Sequence, residues 1–171
     1  MQKNNAQRGL REAVGKYKNS VYGVIAANLR NKSEADDIFQ ETFLLYYTKD
    51  LYFENERAEK AWLVKTALNL CRKANLSIWN LRVDRLDDKA EIITQPPLTA
   101  KENDVLQAVR ALNTKLREPV YLYYFEEMSV KEIAQLLGIR SGTVQVRLVR
   151  ARKLLKERLT GEYFYECQRD I

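Results

Sequence analysis

The sequence predicts an all-α protein built as two small helical domains joined by a flexible linker. Three observations carry that expectation. Apolar residues recur at spacings of three and four through residues 10–25, 35–46, 63–78 and 130–155, the period of an amphipathic helix. Ser129, Glu132 and Gly138 bracket a short helix ahead of a longer helical pattern, as in a helix-turn-helix. Between the halves, Arg82 to about Asn103 has mixed charges, Gln95-Pro96-Pro97 and no sustained periodicity, which reads as a linker partly extended at its prolines. The expected boundaries are residues 1–81, a linker over 82–103, a second domain over 104–160 and a tail over 161–171.

The first helix is expected from about Arg8 to Leu29, with Leu10, Val14, Tyr17, Val21, Val24 and Ile25 on one face. Asn31-Lys32 interrupts the pattern, and Ser33 with Asp36 resembles an N-cap with an acidic first turn. In the second helix, about Glu34 to Thr48, Ala35, Ile38, Phe39, Thr42, Phe43, Leu45 and Tyr46 share an apolar arc. Asp37, Gln40, Glu41, Leu44 and Thr48 share the opposite one. That second face suits either solvent or a basic protein partner. A polar segment, Asp50 to Glu59, carries Tyr52 and Phe53 and separates this helix from the next.

A third helix, about Glu59 to Asn80, buries Leu63, Val64, Ala67, Leu68, Leu70, Cys71, Ala74 and Ile78 by phase. Trp62 falls on the other side with Lys65, Thr66, Asn69, Arg72 and Lys73. An aromatic among cations and amides is what single-stranded DNA requires, charge for phosphates and a flat surface for bases. The alternative is a tryptophan tucked under the preceding loop.

After the linker, Asp104–Leu112 and Lys115–Met128 are helical candidates. Pro119 is costly in a helix interior, so the second is expected to start near Arg117 with the proline in its first turn. Val120, Leu122, Tyr124 and Phe125 are expected in the core, and Tyr121 and Tyr123 are candidates for a partner surface. Ser129 and Glu132 form a capping box, Val130, Ile133, Ala134 and Leu137 follow at helical spacing, and Gly138 stands where a left-handed C-cap belongs. Ser141 is then a candidate N-cap for a helix burying Val144, Leu148, Ala151 and Leu155.

At about 100° per residue, the outer face of that last helix holds Gly142, Thr143, Gln145, Val146, Val149, Arg150 and Lys153, with Arg147 on its flank. Between Ser129 and Leu159, Lys131, Arg140, Arg147, Arg150, Arg152, Lys153, Lys156 and Arg158 face only Glu132 and Glu157. Such a face matches a polyanion. Near the helix start Gln145 can pair with adenine, Arg147 with guanine, and Val146 can touch a thymine methyl.

The net charge of +6 and pI near 9.3 favour an anionic partner. The distribution says more than the total. From Glu34 to Glu59, Glu34, Asp36, Asp37, Glu41, Asp50, Glu54, Glu56 and Glu59 outnumber Lys49 and Arg57, so one half seeks a basic surface and the other an acidic one. With no histidine and with Cys71 and Cys167 far apart, neither structural zinc nor a disulfide framework is indicated, and no metal or cofactor is expected. No catalytic constellation is visible. The polar N-terminus and the lack of a long apolar run point to a soluble, cytoplasmic protein without membrane insertion.

The segment LNTKLREPVYLYYFEEMSVKEIAQLLGIRSGTVQVRLVRARKLL resembles the C-terminal DNA-reading region of bacterial sigma factors of the extracytoplasmic-function type, through Arg117, Tyr124-Phe125, Ser129, Glu132-Ile133-Ala134, Leu137-Gly138, Gly142-Thr143-Val144, Arg147-Leu148 and Arg150-Ala151-Arg152. EADDIFQETF and AWLVKTALNL are similar to pieces of sigma region 2, in the family's order. The resemblance covers roughly residues 10–80 and 105–159. It implies a non-enzymatic sigma factor with a region 2-like domain, a region 4-like helix-turn-helix domain and no region 3 domain between them. Asp37, Gln40, Glu41 and Leu44 would dock on the beta-prime clamp helices of core RNA polymerase. Tyr52 and Phe53, in the loop that captures a flipped base, with Trp62, Lys65, Asn69, Arg72 and Lys73, would handle the minus-10 element of promoter DNA. Arg140, Ser141, Thr143, Gln145, Val146, Arg147, Arg150 and Lys153 would meet the minus-35 element, and the same region would touch the beta flap. An anti-sigma factor is a partner implied by resemblance only. The chain departs from the family at Asn113, where proline is common, and at Glu127, where glycine is common.

Two other readings fit parts of the sequence. A polymerase-independent helix-turn-helix regulator needs neither the acidic face nor the Trp62 face. A sigma-like protein that occupies polymerase without opening promoters would retain core binding and lose contact with unpaired DNA. The aromatic tail residues Tyr163, Phe164 and Tyr165 are apolar enough to pack on the second domain or on a partner.

Overall fold

A computed structural model describes residues 2–49, 51–81 and 100–159, in two compact units, 1–94 and 95–171. The described residues form seven helices and no strand: α1 (Gln2–Asn28), α2 (Lys32–Thr48), α3 (Glu56–Leu81), α4 (Ala100–Arg110), α5 (Thr114–Tyr124), α6 (Val130–Leu137) and α7 (Ser141–Arg158). Residues 82–99, most of the expected linker, and the aromatic tail lie outside the described residues.

In the first unit α1, α2 and α3 pack pairwise around one core. Tyr17, Val21 and Ile25 of α1, with Leu29 just past its end, meet Ala35, Ile38 and Phe43 of α2 and Leu63, Ala67 and Cys71 of α3. The buried polar groups are satisfied locally. Thr42 donates to the Ile38 carbonyl at 2.7 Å, and the Asn28 amide to the Val24 carbonyl at 2.9 Å. Asn75 of α3 donates to the Asn28 carbonyl at 3.3 Å, joining α3 to the end of α1.

The N-cap of α2 is Asn31, not Ser33. Asn31 has extended backbone, φ −89° and ψ 123°, and its side chain accepts the Glu34 N–H at 3.2 Å. Ala35 is fully buried and Asp36 is held by Tyr22, 3.1 Å away, which places the first turn ahead of Ser33. α3 likewise begins three residues earlier than its apolar pattern, because the Asn55 side chain accepts the Ala58 N–H at 2.9 Å.

Glu59 joins all three helices. Tyr17 of α1 donates to one carboxylate oxygen at 2.9 Å, and Tyr46 of α2 donates to the other. Burial, reinforced by the bond to Glu59, pushes both phenols above the usual tyrosine range.

In the second unit α5 begins at Thr114 and not near Arg117, so Pro119 lies in the helix interior. Asn113 is the reason: its side chain accepts the Leu116 N–H at 3.1 Å and caps the helix ahead of the proline. An interior proline costs about 3 kcal/mol, here set against burial of Leu116, Val120 and Leu122 around it. Arg117 stitches the preceding turn, donating to the Arg110 carbonyl at 3.1 Å, the Leu112 carbonyl at 3.2 Å and the Thr114 hydroxyl at 3.1 Å. Tyr121 is buried, stacked on Phe125 with ring centroids 4.8 Å apart, so it offers no partner surface. Phe125 is the more exposed of that pair, reversing the expected roles. α4 starts at Ala100, earlier than Asp104.

Glu127 has φ 54°, the left-handed region where a side chain is strained. Glu127→Gly is expected to stabilise the second unit by about 0.5–1 kcal/mol, strain relief outweighing the greater unfolded-state freedom of glycine. Thermal unfolding checks this; a lowered Tm would mean that the glutamate side chain contributes more than its backbone costs.

Candidate nucleic-acid interface

The helix-turn-helix forms as its sequence signals require. Ser129 N–H donates to Glu132 at 2.8 Å while the Glu132 N–H reaches the Ser129 hydroxyl at 3.3 Å, a complete capping box. Gly138, at φ 67° and ψ 36°, turns the chain after α6, and its N–H and that of Ile139 both close on the Ala134 carbonyl. Ile133, Ala134 and Leu136 are the buried residues of α6; Leu136, absent from the expected stripe, takes the place given to Leu137. The N-cap of α7 is Arg140, with extended backbone and no side-chain cap bond, and Ser141 is the first helical residue. The first-turn amides ahead of Thr143, whose own N–H closes on the Arg140 carbonyl, suit a phosphate oxygen.

Val144, Leu148, Ala151 and Leu155 of α7 are buried, as their phase requires. Arg140, Ser141, Thr143, Gln145, Val146, Arg150 and Lys153 are exposed and Arg147 is half-buried. An open groove of about 820 Å³ runs along this face, lined by Thr143, Val146, Arg147, Arg150 and Lys153 together with Asn113, Lys115 and Leu116 from the start of α5. The α5 contribution was not legible in the sequence, since it depends on where Asn113 starts that helix.

The first unit presents two further faces. On α3, Lys65, Asn69 and Lys73 are exposed, and Arg72 is half-buried with a guanidinium N–H 3.5 Å from the Asn69 side-chain oxygen. Leu76, 66 % exposed, falls on the same side and was missed. Trp62 is half-buried: its ring lies 6.3 Å from Tyr46 and 6.1 Å from Phe53, with the Lys49 ammonium 5.9 Å from its centroid. Phe53 in turn stacks on Tyr46 at 6.2 Å. Phe53 and Trp62 therefore form a wall, while the adjacent Tyr52 is 91 % exposed. On α2, Asp37, Gln40 and Glu41 are exposed, and Leu44 is 59 % exposed among them. Among the described residues no cluster of Cys, Asp or Glu could hold a metal ion, and no helix is long and apolar enough to cross a membrane.

Residues 13–76 match the family model described as Sigma-70 region 2, and residues 102–155 match Sigma-70, region 4. The extracytoplasmic-function (ECF) RNA polymerase sigma factor SigW of Bacillus subtilis is 29 % identical over 172 residues, covering 92 % of each chain. The chain belongs to the sigma-70 family, of the ECF type. The ECF sigma factor BldN of Streptomyces coelicolor is 30 % identical, over 92 % of this chain and 64 % of that one. Among solved structures, the sigma factor RpoE of Bartonella quintana, in complex with the anti-sigma factor NepR, matches with a TM-score of 0.68 at 21 % identity, covering 95 % of this chain and 98 % of that one. CnrH, in complex with the cytosolic domain of CnrY, matches at 0.62 and 22 %, covering 88 % and 87 %. These structures share the sigma fold with this chain.

Proposed function

We propose that this sigma factor binds core RNA polymerase and directs promoter-specific initiation by recognising a minus-35 and a minus-10 element. The observation that carries this is the presence in one chain, in family order, of three differently built surfaces: the acidic α2 face, the cationic and aromatic α3 face, and the basic α7 groove. A duplex-DNA regulator has use for only the last.

Each surface has a task its chemistry fits. Asp37, Gln40, Glu41 and Leu44 combine charge with an apolar centre and would seat on the basic clamp helices of the beta-prime subunit. Tyr52 stacks an unpaired base, and Lys65, Asn69, Arg72 and Lys73 hold its strand. The α7 face enters the major groove, with Gln145 and Arg147 toward base edges and Arg150 and Lys153 toward phosphates. Binding energy opens the strands, and the polymerase performs the bond-forming chemistry. The second unit also meets the beta flap. An anti-sigma factor holds the protein inactive, a reading supported by the complex with an anti-sigma factor in which the similar RpoE was solved. Action is in the cytoplasm, where the polymerase is.

Run-off transcription with bacterial core polymerase on a genomic fragment library tests the proposal. Starts that depend on the protein and share two spaced upstream elements are expected; no dependent starts would overturn it. Arg147→Ala, and likewise Gln145→Ala, is expected to weaken minus-35 recognition by about 1–3 kcal/mol and to relax preference at one base pair. Footprinting on single-base promoter variants measures it, and uniform weakening across all variants would reassign the residue to phosphate contact.

A further inference from the structure

The outermost line of α7 carries no charge ahead of Lys153. Gly142, Val146, Val149 and Lys153 recur at i, i+4, i+7 and i+11, on the side opposite the buried Val144, Leu148, Ala151 and Leu155. Val146 is 49 % and Val149 60 % exposed, flanked by the cations that line the groove. Exposed β-branched side chains cost helix propensity and gain nothing from water, so two of them on the leading edge of a basic helix imply an apolar surface that covers them.

Gly142 supplies the second observation. A Cβ built there meets no atom within 4 Å, so packing inside the protein does not require the glycine. Its backbone φ is not positive, so the turn does not require it either. Glycine in a helix costs up to about 1 kcal/mol relative to alanine. What the missing side chain permits is close approach of something from outside along the line that the two valines continue.

We infer that Gly142, Val146 and Val149 form an apolar ridge that reads thymine methyl groups on the floor of the major groove, with Gly142 letting the helix start sink against the base edges. This rests on the reading of α7 as the minus-35 reader. The thymine C5-methyl is the apolar group that the major groove presents. Val146 and Val149 are separated by about 4.5 Å of helix rise, against roughly 3.4 Å between base pairs, so the two methyls belong to neighbouring base pairs. Specificity in this element is then divided: polar groups at Gln145 and Arg147 read hydrogen-bonding edges, and the ridge reads shape.

The test uses holoenzyme reconstituted from the full chain and core polymerase, on a promoter recovered by run-off mapping. Each minus-35 thymine is replaced in turn by deoxyuridine, which removes only the methyl. Two positions on neighbouring base pairs are expected to lose about fourfold in affinity each, the worth of one buried methyl. Val146→Ala is expected to abolish the sensitivity at one position and Val149→Ala at the other. Gly142→Ala is expected to weaken promoter binding while leaving Tm unchanged or raised, an opposite-signed pair of effects that a folding defect does not produce. Promoter-specific binding that is indifferent to deoxyuridine at every position, or Gly142→Ala with full affinity, overturns the ridge and leaves the sigma assignment standing. Absence of any promoter-specific binding overturns both.

Discussion

Asp37→Lys is expected to weaken binding to core RNA polymerase by a hundredfold or more. A like-charge contact across a docked interface costs several kcal/mol, and a hundredfold corresponds to about 2.7 kcal/mol. The fold has no comparable stake in this residue. Its neighbour Asp36 is the acid the first unit uses, bonded to Tyr22 and paired with Lys32, while Asp37 is exposed beside Gln40 and Glu41. Titration of labelled protein with core polymerase, alongside thermal unfolding, separates the two possibilities. Lost binding with a wild-type Tm places the polymerase on this face; retained binding moves it elsewhere, and a fallen Tm would show that Asp37 has structural work.

Glu59→Ala is expected to destabilise the first unit by about 2–4 kcal/mol, because one carboxylate accepts hydrogen bonds from phenols on two other helices and both hydroxyls are left without it. Tyr46→Phe, which removes one of these bonds and keeps the ring, should cost about 1–2 kcal/mol. Urea unfolding measures both, and a Glu59→Ala loss below that of Tyr46→Phe would rule out the shared clip. The clip also sets an alkaline limit. Tyr17 and Tyr46 hold their protons more tightly in the folded state than the ordinary value of 10.0. Their contribution is complete below that pH and falls as pH rises beyond it, when the unfolded chain releases protons that the fold retains. Wild-type stability should decline above pH 10 more steeply than that of the Tyr17→Phe, Tyr46→Phe double variant.

What could be read from the sequence were the features written locally. The α6 capping box, the Gly138 turn and the buried stripe of α7 each lie within a few turns of chain, and the structure reproduces them. The α2 arc and the Lys65, Asn69 and Lys73 face also follow from phase alone. Features that depend on distant partners were hidden. Glu59 counted as one more surface acid because its tyrosines are 42 and 13 residues away. Trp62 was off the core stripe by phase, yet Phe53 and Tyr46 fold over its edge. At helix starts, a serine one or two residues inside the true boundary was indistinguishable from a cap until packing placed the first turn, as at Ser33 and Ser141.

The split between the Tyr46, Phe53 and Trp62 wall and the projecting Tyr52 separates the part of the loop that folds from the part that is proposed to meet a base. Substitution at position 52 disturbs no ring contact in the wall. A saturation series at that one residue would therefore yield equally stable proteins with altered base preference, a ready source of mutually orthogonal regulators whose scaffold never needs redesign.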